Sequence, residues 1–327
     1  MTHWLVTGGA GFIGSHLVRR LVAQGDAVTV LDDLSTGFAE NLSPAAGLVV
    51  GDILDAPLVE RCMAGVQGVF HLAANVSVQD CVHNLLAAHR VNLTGTLTIL
   101  EAARRSGNCP VVFASSAAVY GDQGDRPCSE DMAPAPISPY GADKAACEMH
   151  ARALHGIHGL PTAALRFFNV YGPGQDSGSP YAGVISRFLD NLRQGCVHRV
   201  FGDGGQTRDF VCVDDVVAAL IAAQDLLARE PQALVANVCT GRSISLLELA
   251  AALDRLGSGR ATPIEHAPVR AGDIRHSRGA PDRMERDLGL RASIPLDRGL
   301  ARLLTTDPHP AITRSVAGTA FGTNVSE

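Results

Sequence analysis

Apolar and polar positions along this chain change their period repeatedly. Residues 3–7 (His-Trp-Leu-Val-Thr) and 28–31 (Val-Thr-Val-Leu) are short runs rich in apolar and β-branched side chains, and similar apolar runs recur at 47–50, 67–73, 110–115 and 161–168. Between them, segments 12–24, 56–64, 84–106 and 139–158 space their apolar residues at the helical period. Strand and helix thus alternate through about half the chain. That alternation predicts an α/β fold, a doubly wound parallel sheet covered on both faces, followed by a smaller C-terminal α/β unit. After about residue 171 the elements shorten, with helices expected at 181–194, 214–228 and 245–257. Residues 127–139 form a proline-rich loop, and 305–327 lack periodicity and read as a loose tail. The expected division is 1–170 for the doubly wound unit, 171–305 mainly for the smaller unit, with some segments returning to the first sheet, and 306–327 for the tail.

Composition narrows the function classes. A 327-residue chain that is 46% hydrophobic and 18% charged can bury a sizeable core, which excludes general disorder. The net charge is −6 without a long basic run, so a nucleic-acid partner is not expected. No run of 18 apolar residues predicts a membrane span, and residues 1–7 lack the layout of a signal peptide, so a cytoplasmic protein is expected. The eight cysteines (62, 81, 109, 128, 147, 196, 212 and 239) form no C-x-x-C pair and read as reduced, mostly buried thiols. The histidines, His71 included, show no metal-like spacing, and no metal site is expected.

The first chemical signature is Thr7-Gly-Gly-Ala-Gly-Phe-Ile-Gly14, between a strand and a helix. Glycine at 8, 11 and 14 permits a tight turn, close approach of a pyrophosphate to the backbone, and contact between helix and sheet. The helix N-terminus then faces the anion. The second strand ends at Asp32, 18 residues past Gly14. A carboxylate there accepts hydrogen bonds from the adenosine ribose and repels a 2′-phosphate, which favours NAD in a Rossmann-like domain. The role of the neighbouring Asp33 cannot be separated from that of Asp32 by sequence.

The second signature is Ser138-Pro-Tyr-Gly-Ala-Asp-Lys144. Serine caps a helix and proline suits its first position, so Tyr140 and Lys144 fall one turn apart on one face. Lys144 is the single lysine among 27 Lys and Arg residues. A free phenol ionises near pH 10, too high for a base at neutrality. Lowering such a value by about three units takes about 4 kcal/mol. An ammonium about 4 Å away supplies that at an effective dielectric of about 20. Lysine is a compact charge that the planar arginine fork does not replace.

Together these motifs resemble the extended short-chain dehydrogenase/reductase family, in its nucleotide-sugar epimerase/dehydratase branch and UDP-hexose 4-epimerase type. The resemblance spans about residues 3–305 and rests on T-G-x-x-G-F-I-G, on Y-x-x-x-K and on a serine at the end of the preceding strand, Val111-Val-Phe-Ala-Ser-Ser116. It implies Ser116, Tyr140 and Lys144 as the catalytic residues. For the cofactor it implies Gly8, Gly11, Phe12, Ile13, Gly14, Asp32 and Asp33. The Gly51-Asp52-Ile53 segment is matched to the adenine, and Leu72-Ala73-Ala74, Asn92 and Ser115 to the rest of the cofactor.

The resemblance also bears on the reaction. Related dehydratases carry an Asp-Glu pair just after the Ser/Thr, and decarboxylases a nearby glutamate, whereas this chain has Ala117 and Ala118. The simplest chemistry left is 4-epimerisation of a UDP-hexose, UDP-GlcNAc or UDP-glucose. UDP-glucuronate 4-epimerase and an NDP-sugar 4,6-dehydratase or 4-ketoreductase stand as alternatives. In Leu165-Arg-Phe-Phe-Asn169 the resemblance assigns Asn169 to the sugar nucleotide. It assigns Arg208 of Gly202-Asp-Gly-Gly-Gln-Thr-Arg-Asp-Phe210 and Arg270 to the pyrophosphate, Asp273 to the ribose and Ser277 to the sugar gate. A tyrosine at the gate narrows the pocket toward glucose and galactose, and a small residue admits a 2-acetamido group. Ser179-Pro-Tyr-Ala-Gly-Val-Ile185 resembles enzymes of neutral hexoses and hexosamines. Relatives usually pair through the helices matching 84–106 and 139–158, so a homodimer is expected.

Overall fold

The computed structural model describes residues 1–175, 183–257, 259–269 and 274–305. Its strands are β1 (His3–Thr7), β2 (Ala27–Asp32), β3 (Gly47–Val50), β4 (Gly68–His71), β5 (Val111–Ser116), β6 (Thr162–Phe167), β7 (Asn169–Tyr171), β8 (His198–Phe201), β9 (Thr207–Arg208), β10 (Phe210–Cys212), β11 (Ala233–Val238), β12 (Ile244–Ser245), β13 (Ile264–Ala267) and β14 (His276–Ser277). The helices are α1 (Phe12–Ala23), α2 (Ala56–Cys62), α3 (Val78–His83), α4 (Leu85–His89), α5 (Thr96–Arg105), α6 (Pro139–His158), α7 (Val184–Gln194), α8 (Val213–Arg229), α9 (Leu246–Leu256), α10 (Asp282–Leu288) and α11 (Leu296–Thr305).

Among the described residues, one sheet runs β3-β2-β1-β4-β5-β6-β11 with every neighbouring pair parallel. Successive strand residues point to opposite faces, and the sequence uses both. Leu5, Val111 and Phe113 pack with α2, α5 and α6, while Val6, Val112 and Leu165 pack with α1 and α8. The chain leaves β1 for β2 and β3, then returns to β4 on the other side of β1. The crevice at the C-terminal ends of β1 and β4 is therefore the switch point where this fold receives ligands.

Several expectations change at the edges of elements. Helix α6 matches its predicted limits, because Ser138 accepts a bond from Gly141 N (3.2 Å) at one end and Gly159 adopts φ +71° at the other. The expected continuous helix over 84–106 is instead α4, a π-helical turn over Arg90–Gly95, and α5. The wider turn seats Gly95 on Ile53, where a Cβ would lie 2.4 Å from the Ile53 Cδ1. Helix α7 begins at Val184, and the expected residues 181–182 and the tail over 306–327 lie outside the described residues. Strand β11 was not expected. Its six residues, Ala-Leu-Val-Ala-Asn-Val, are too short an apolar run for periodicity to classify.

The division at 170/171 is crossed by the chain. Helix α8 and strand β11 lie on the seven-stranded sheet. Helix α10 joins them through Met284, and α7, β7, β8, β10, α9 and α11 surround a separate core containing Phe188, Leu189, Val200, Phe210, Leu249 and Leu300. Within it β9 lies between β12 and β14. No helix among the described residues is long and apolar enough to cross a membrane, and no cluster there could hold a metal ion.

His71 ties β1, β4 and α5 together beneath the crevice. Its Nε2 lies 3.0 Å from the Thr96 hydroxyl, which itself donates to Asn92 O (2.6 Å) and so accepts from the imidazole. Its Nδ1 must then accept from the Thr7 hydroxyl at 2.7 Å. This tautomer is neutral, and burial, assisted by Lys144, holds the imidazole well below its ordinary 6.5, at about 3. The unfolded chain binds a proton below pH 6.5 that the folded chain refuses. The contribution of His71 is therefore complete above that pH and falls away toward pH 3, by up to about 1.4 kcal/mol per unit. Replacing His71→Asn should flatten the loss of melting temperature between pH 7 and pH 5. An unchanged slope would show that this histidine does not carry it.

Candidate active site

The turn after β1 is shaped by steric contacts of its own chain. Gly8 has φ +69°, and a Cβ there would sit 2.6 Å from Ala73 N. At Gly14 a Cβ would lie 2.2 Å from Gly8 O, so α1 approaches the turn as no other residue would allow. Gly11 differs. Its φ is −77°, and a Cβ would meet only Gly8 O, at 3.4 Å. Nothing inside the protein requires glycine at 11, and its bare backbone leaves room at the helix start. Gly11 is also the N-cap of α1 and supplies no side-chain cap, and the first turn holds no acid. An anion suits such a helix start. Phe12 and Ile13 are half-buried beside it.

Asp32 is 7% exposed at the end of β2, with one carboxylate oxygen accepting from Ala10 N (2.9 Å) and the other from Leu34 N (2.9 Å). Burial pushes its carboxyl up, and the two amides oppose this. Each carboxylate oxygen keeps a lone pair for a ribose hydroxyl. Asp33 is exposed and closes its own turn by accepting from Ser35 N and Oγ (2.9 and 2.6 Å). Asp52 is exposed and accepts from Leu54 N, while Ile53 turns its side chain into the core and leaves only its peptide for a ligand. Leu72, Ala73 and Ala74 are half-buried, with Leu72 N and Ala73 N bonded to Thr7. These residues fit a dinucleotide: a glycine cradle, an uncapped helix start and a carboxylate at the second strand.

On the far side of the crevice, β5 delivers Ser116 to a short turn over Ala117–Tyr120. Its hydroxyl accepts from Ala118 N (3.1 Å). The start of α6 presses on this turn, for a Cβ on Gly141 would lie 2.5 Å from Ala118 O. Tyr140 is half-buried there, and Lys144 Nζ lies 5.9 Å from its ring centroid. Lys144 is 3% exposed and donates to Ala114 O at 2.9 Å. Tyr120 and Tyr171 are fully buried, and burial raises both phenols above their ordinary value, which makes them unsuited to act as bases.

Two residues expected at the cofactor have their side chains engaged inside the protein. Ser115 is 2% exposed and donates to Glu148 Oε1 at 2.5 Å, its side chain pointing to the face under α6. Asn92 is fully buried in the π-helical turn. Its amide accepts from Asn75 N (2.8 Å) and donates to Asn75 O (3.0 Å), so it holds the loop after Ala74.

In the smaller unit, Asn169 is exposed at the start of β7. Arg208 on β9 donates to Thr207 O, and Ser277 on β14 is its parallel partner in register. Arg270 and Asp273 lie outside the described residues. Sequence reasoning passed over Asp209. It is fully buried and accepts from Thr240 N (2.9 Å), Thr240 Oγ1 (2.6 Å), Gly241 N (3.0 Å) and Gly279 N (3.2 Å). Gly279 is two residues beyond Ser277, so this carboxylate anchors the strand that carries it. Glu148 and Arg166 were also missed. Burial works against the Arg166 charge, and the Glu148 bonds more than offset it, holding its ionisation above the ordinary value. Only Arg166 carried a sequence signal, a charged residue inside the mostly apolar strand β6.

The comparisons agree with this geometry. The model of the NAD dependent epimerase/dehydratase family matches residues 4–239. A UDP-glucose 4-epimerase of Mycolicibacterium smegmatis is 39% identical over 305 residues, covering 91% of this chain and 96% of that one. The solved structure of a Thermotoga maritima UDP-glucose 4-epimerase with UDP-glucose superposes with a TM-score of 0.87 at 36% identity, covering 93% of this chain and 97% of that one. A UDP-N-acetylglucosamine 4-epimerase of Methanobrevibacter ruminantium, in complex with UDP-N-acetylmuramic acid, gives the same TM-score and coverage at 33% identity.

The two glycines should separate in a denaturation and cofactor-binding experiment. Gly11→Ala should keep its melting temperature and lose bound dinucleotide, because only the ligand needs that space. Gly14→Ala should lose stability as well, by about 1–3 kcal/mol for a forced backbone shift. Full retention of the dinucleotide by Gly11→Ala would show that the cradle lies elsewhere.

Proposed function

This chain belongs to the NAD dependent epimerase/dehydratase family, and from that premise we propose that it is a UDP-hexose 4-epimerase. Its substrates are UDP-GlcNAc and UDP-GalNAc, and also UDP-glucose and UDP-galactose. The observation that carries this reading is the turn after Ser116. It carries Ala117 and Ala118 directly after Ser116, where this reading of dehydration would need a second acid and base.

Tyr140 takes the proton of the sugar 4-hydroxyl, and Ser116 holds that oxygen. Bound NAD supplies a hydride acceptor that also returns the hydride, so no net oxidation occurs. Lys144 stands one helical turn after Tyr140, with its Nζ 5.9 Å from the ring centroid. The 4-keto sugar turns over in the pocket while the nucleotide stays fixed by Asn169, Arg208, Arg270 and Asp273. Anchoring one end and freeing the other is what the two-lobed architecture supplies. The segments around β9 and β14 act as the nucleotide-sugar lobe. A homodimer through α4–α5 and α6 is supported by Leu86, Met149 and Ile157, which are 76%, 65% and 75% exposed on these helices.

Proton NMR of UDP-GlcNAc with the purified protein and no added cofactor tests the reading. A growing UDP-GalNAc anomeric signal is expected. A 4-keto product, or no conversion of UDP-GlcNAc, UDP-glucose or UDP-glucuronate with NAD bound, would overturn it. The gate has its own test. Ser277→Tyr should depress turnover of the N-acetylated sugars by at least about tenfold more than that of UDP-glucose. Equal losses on both classes would remove Ser277 from the gate.

A further inference from the structure

Tyr140, Lys144 and Glu148 stand at i, i+4 and i+8 along one side of α6. The first two belong to the proposed chemistry, and the third is 7% exposed, in the protein interior. Glu148 meets two strands at once. It accepts from Ser115 Oγ on β5 (2.5 Å), and Arg166 on β6 binds it through Nε (2.9 Å) and Nη2 (2.6 Å). Ser115 and Arg166 are direct partners in the parallel register, so they form a flat two-residue platform under the carboxylate. The guanidinium of Arg166 also lies over the ring of Tyr120, 4.7 Å from its centroid. Tyr120 closes the turn that begins at Ser116, and its hydroxyl is pinned by Asn237 Oδ1 at 2.6 Å.

One ion pair thus touches the helix that carries Tyr140 and Lys144 and the turn that follows Ser116. A buried pair of this kind is weak as a source of stability, since well-packed apolar residues of similar volume often do as well. Its bonds are directional, however, and the fork of arginine fixes a carboxylate in two dimensions. We propose that Glu148, with Arg166 and Ser115, is a positioning device that sets the height and rotation of α6 on β5 and β6, and so the placement of Tyr140 and Lys144 against Ser116. This rests on the epimerase reading for the role of those three residues.

The test uses the full-length holoenzyme. In the triple variant Ser115→Ala/Glu148→Met/Arg166→Met the local net charge is unchanged, and no charge is left buried alone. Any change in ionisation therefore reports position, not lost charge. The variant should bind NAD and keep a KM for its UDP-sugar close to the parent value. Its kcat should fall about ten- to hundredfold, the scale of a small misplacement of reacting groups. The acid limb of kcat/KM against pH should move to higher pH as Lys144 leaves the phenol. Glu148→Asp, which keeps the charge and withdraws the carboxylate by one methylene, should show the same two effects more weakly, and it decides the matter if the triple variant does not fold. A folded variant with parental kcat and an unmoved acid limb overturns the proposal. Tyrosinate absorbance, corrected with Tyr140→Phe, reads the same displacement without turnover. A chain that epimerises no UDP-sugar but whose tyrosinate signal moves in the variants would therefore sink the epimerase reading and leave the positioning device standing.

Discussion

Lys144 has 3% of its surface exposed and donates a hydrogen bond to the backbone of β5. A buried ammonium is tolerated only where its surroundings compensate it. The start of α6 puts Tyr140 beside it, with the Lys144 Nζ 5.9 Å from the ring centroid. The rest of the site is built to keep this helix in place. Gly141 lets it approach the turn after Ser116, and Ser138 and Gly159 fix where it begins and ends. The same charge acts across the sheet, where it helps keep His71 neutral.

The opposite wall of the crevice obeys a different constraint. There the backbone itself is the binding surface, and side chains are excluded or turned to bracing. Asp32 shows the economy of this arrangement, since it holds the Ala10 peptide while retaining lone pairs for a ligand. The π-helical turn does similar work at one remove, with Asn92 gripping the loop after Ala74 by both ends of its amide. In the smaller unit a single carboxylate, Asp209, gathers four donors from Thr240, Gly241 and Gly279. It connects β9, where Arg208 sits, to the segment just after Ser277. Both walls therefore use buried polar groups to hold neighbouring segments of the crevice in place.

Local rules made much of this legible in the sequence. Glycine at 8 and 14 follows from contacts only glycine survives, and such turns leave a spacing that can be read. Ser138-Pro139 and the interval from Tyr140 to Lys144 are helix rules, and they gave the limits and the face of α6 correctly. Adjacent residues at a strand end are harder. Ser115 and Ser116 look equivalent in a list, yet the two-residue period of a strand sends one under α6 and leaves the other at the turn. Glu148 and Arg166 lie 18 positions apart, and only the register of β5 with β6 brings them together under the helix. Asp209, Asn92 and the return of β11 to the sheet are likewise consequences of long-range packing. The sequence by itself determined the fold class, the dinucleotide turn and the tyrosine–lysine pair, because each is encoded within a few residues. The tertiary structure decided which polar side chains face the ligand and which brace those that do, because that depends on contacts between segments far apart in the chain.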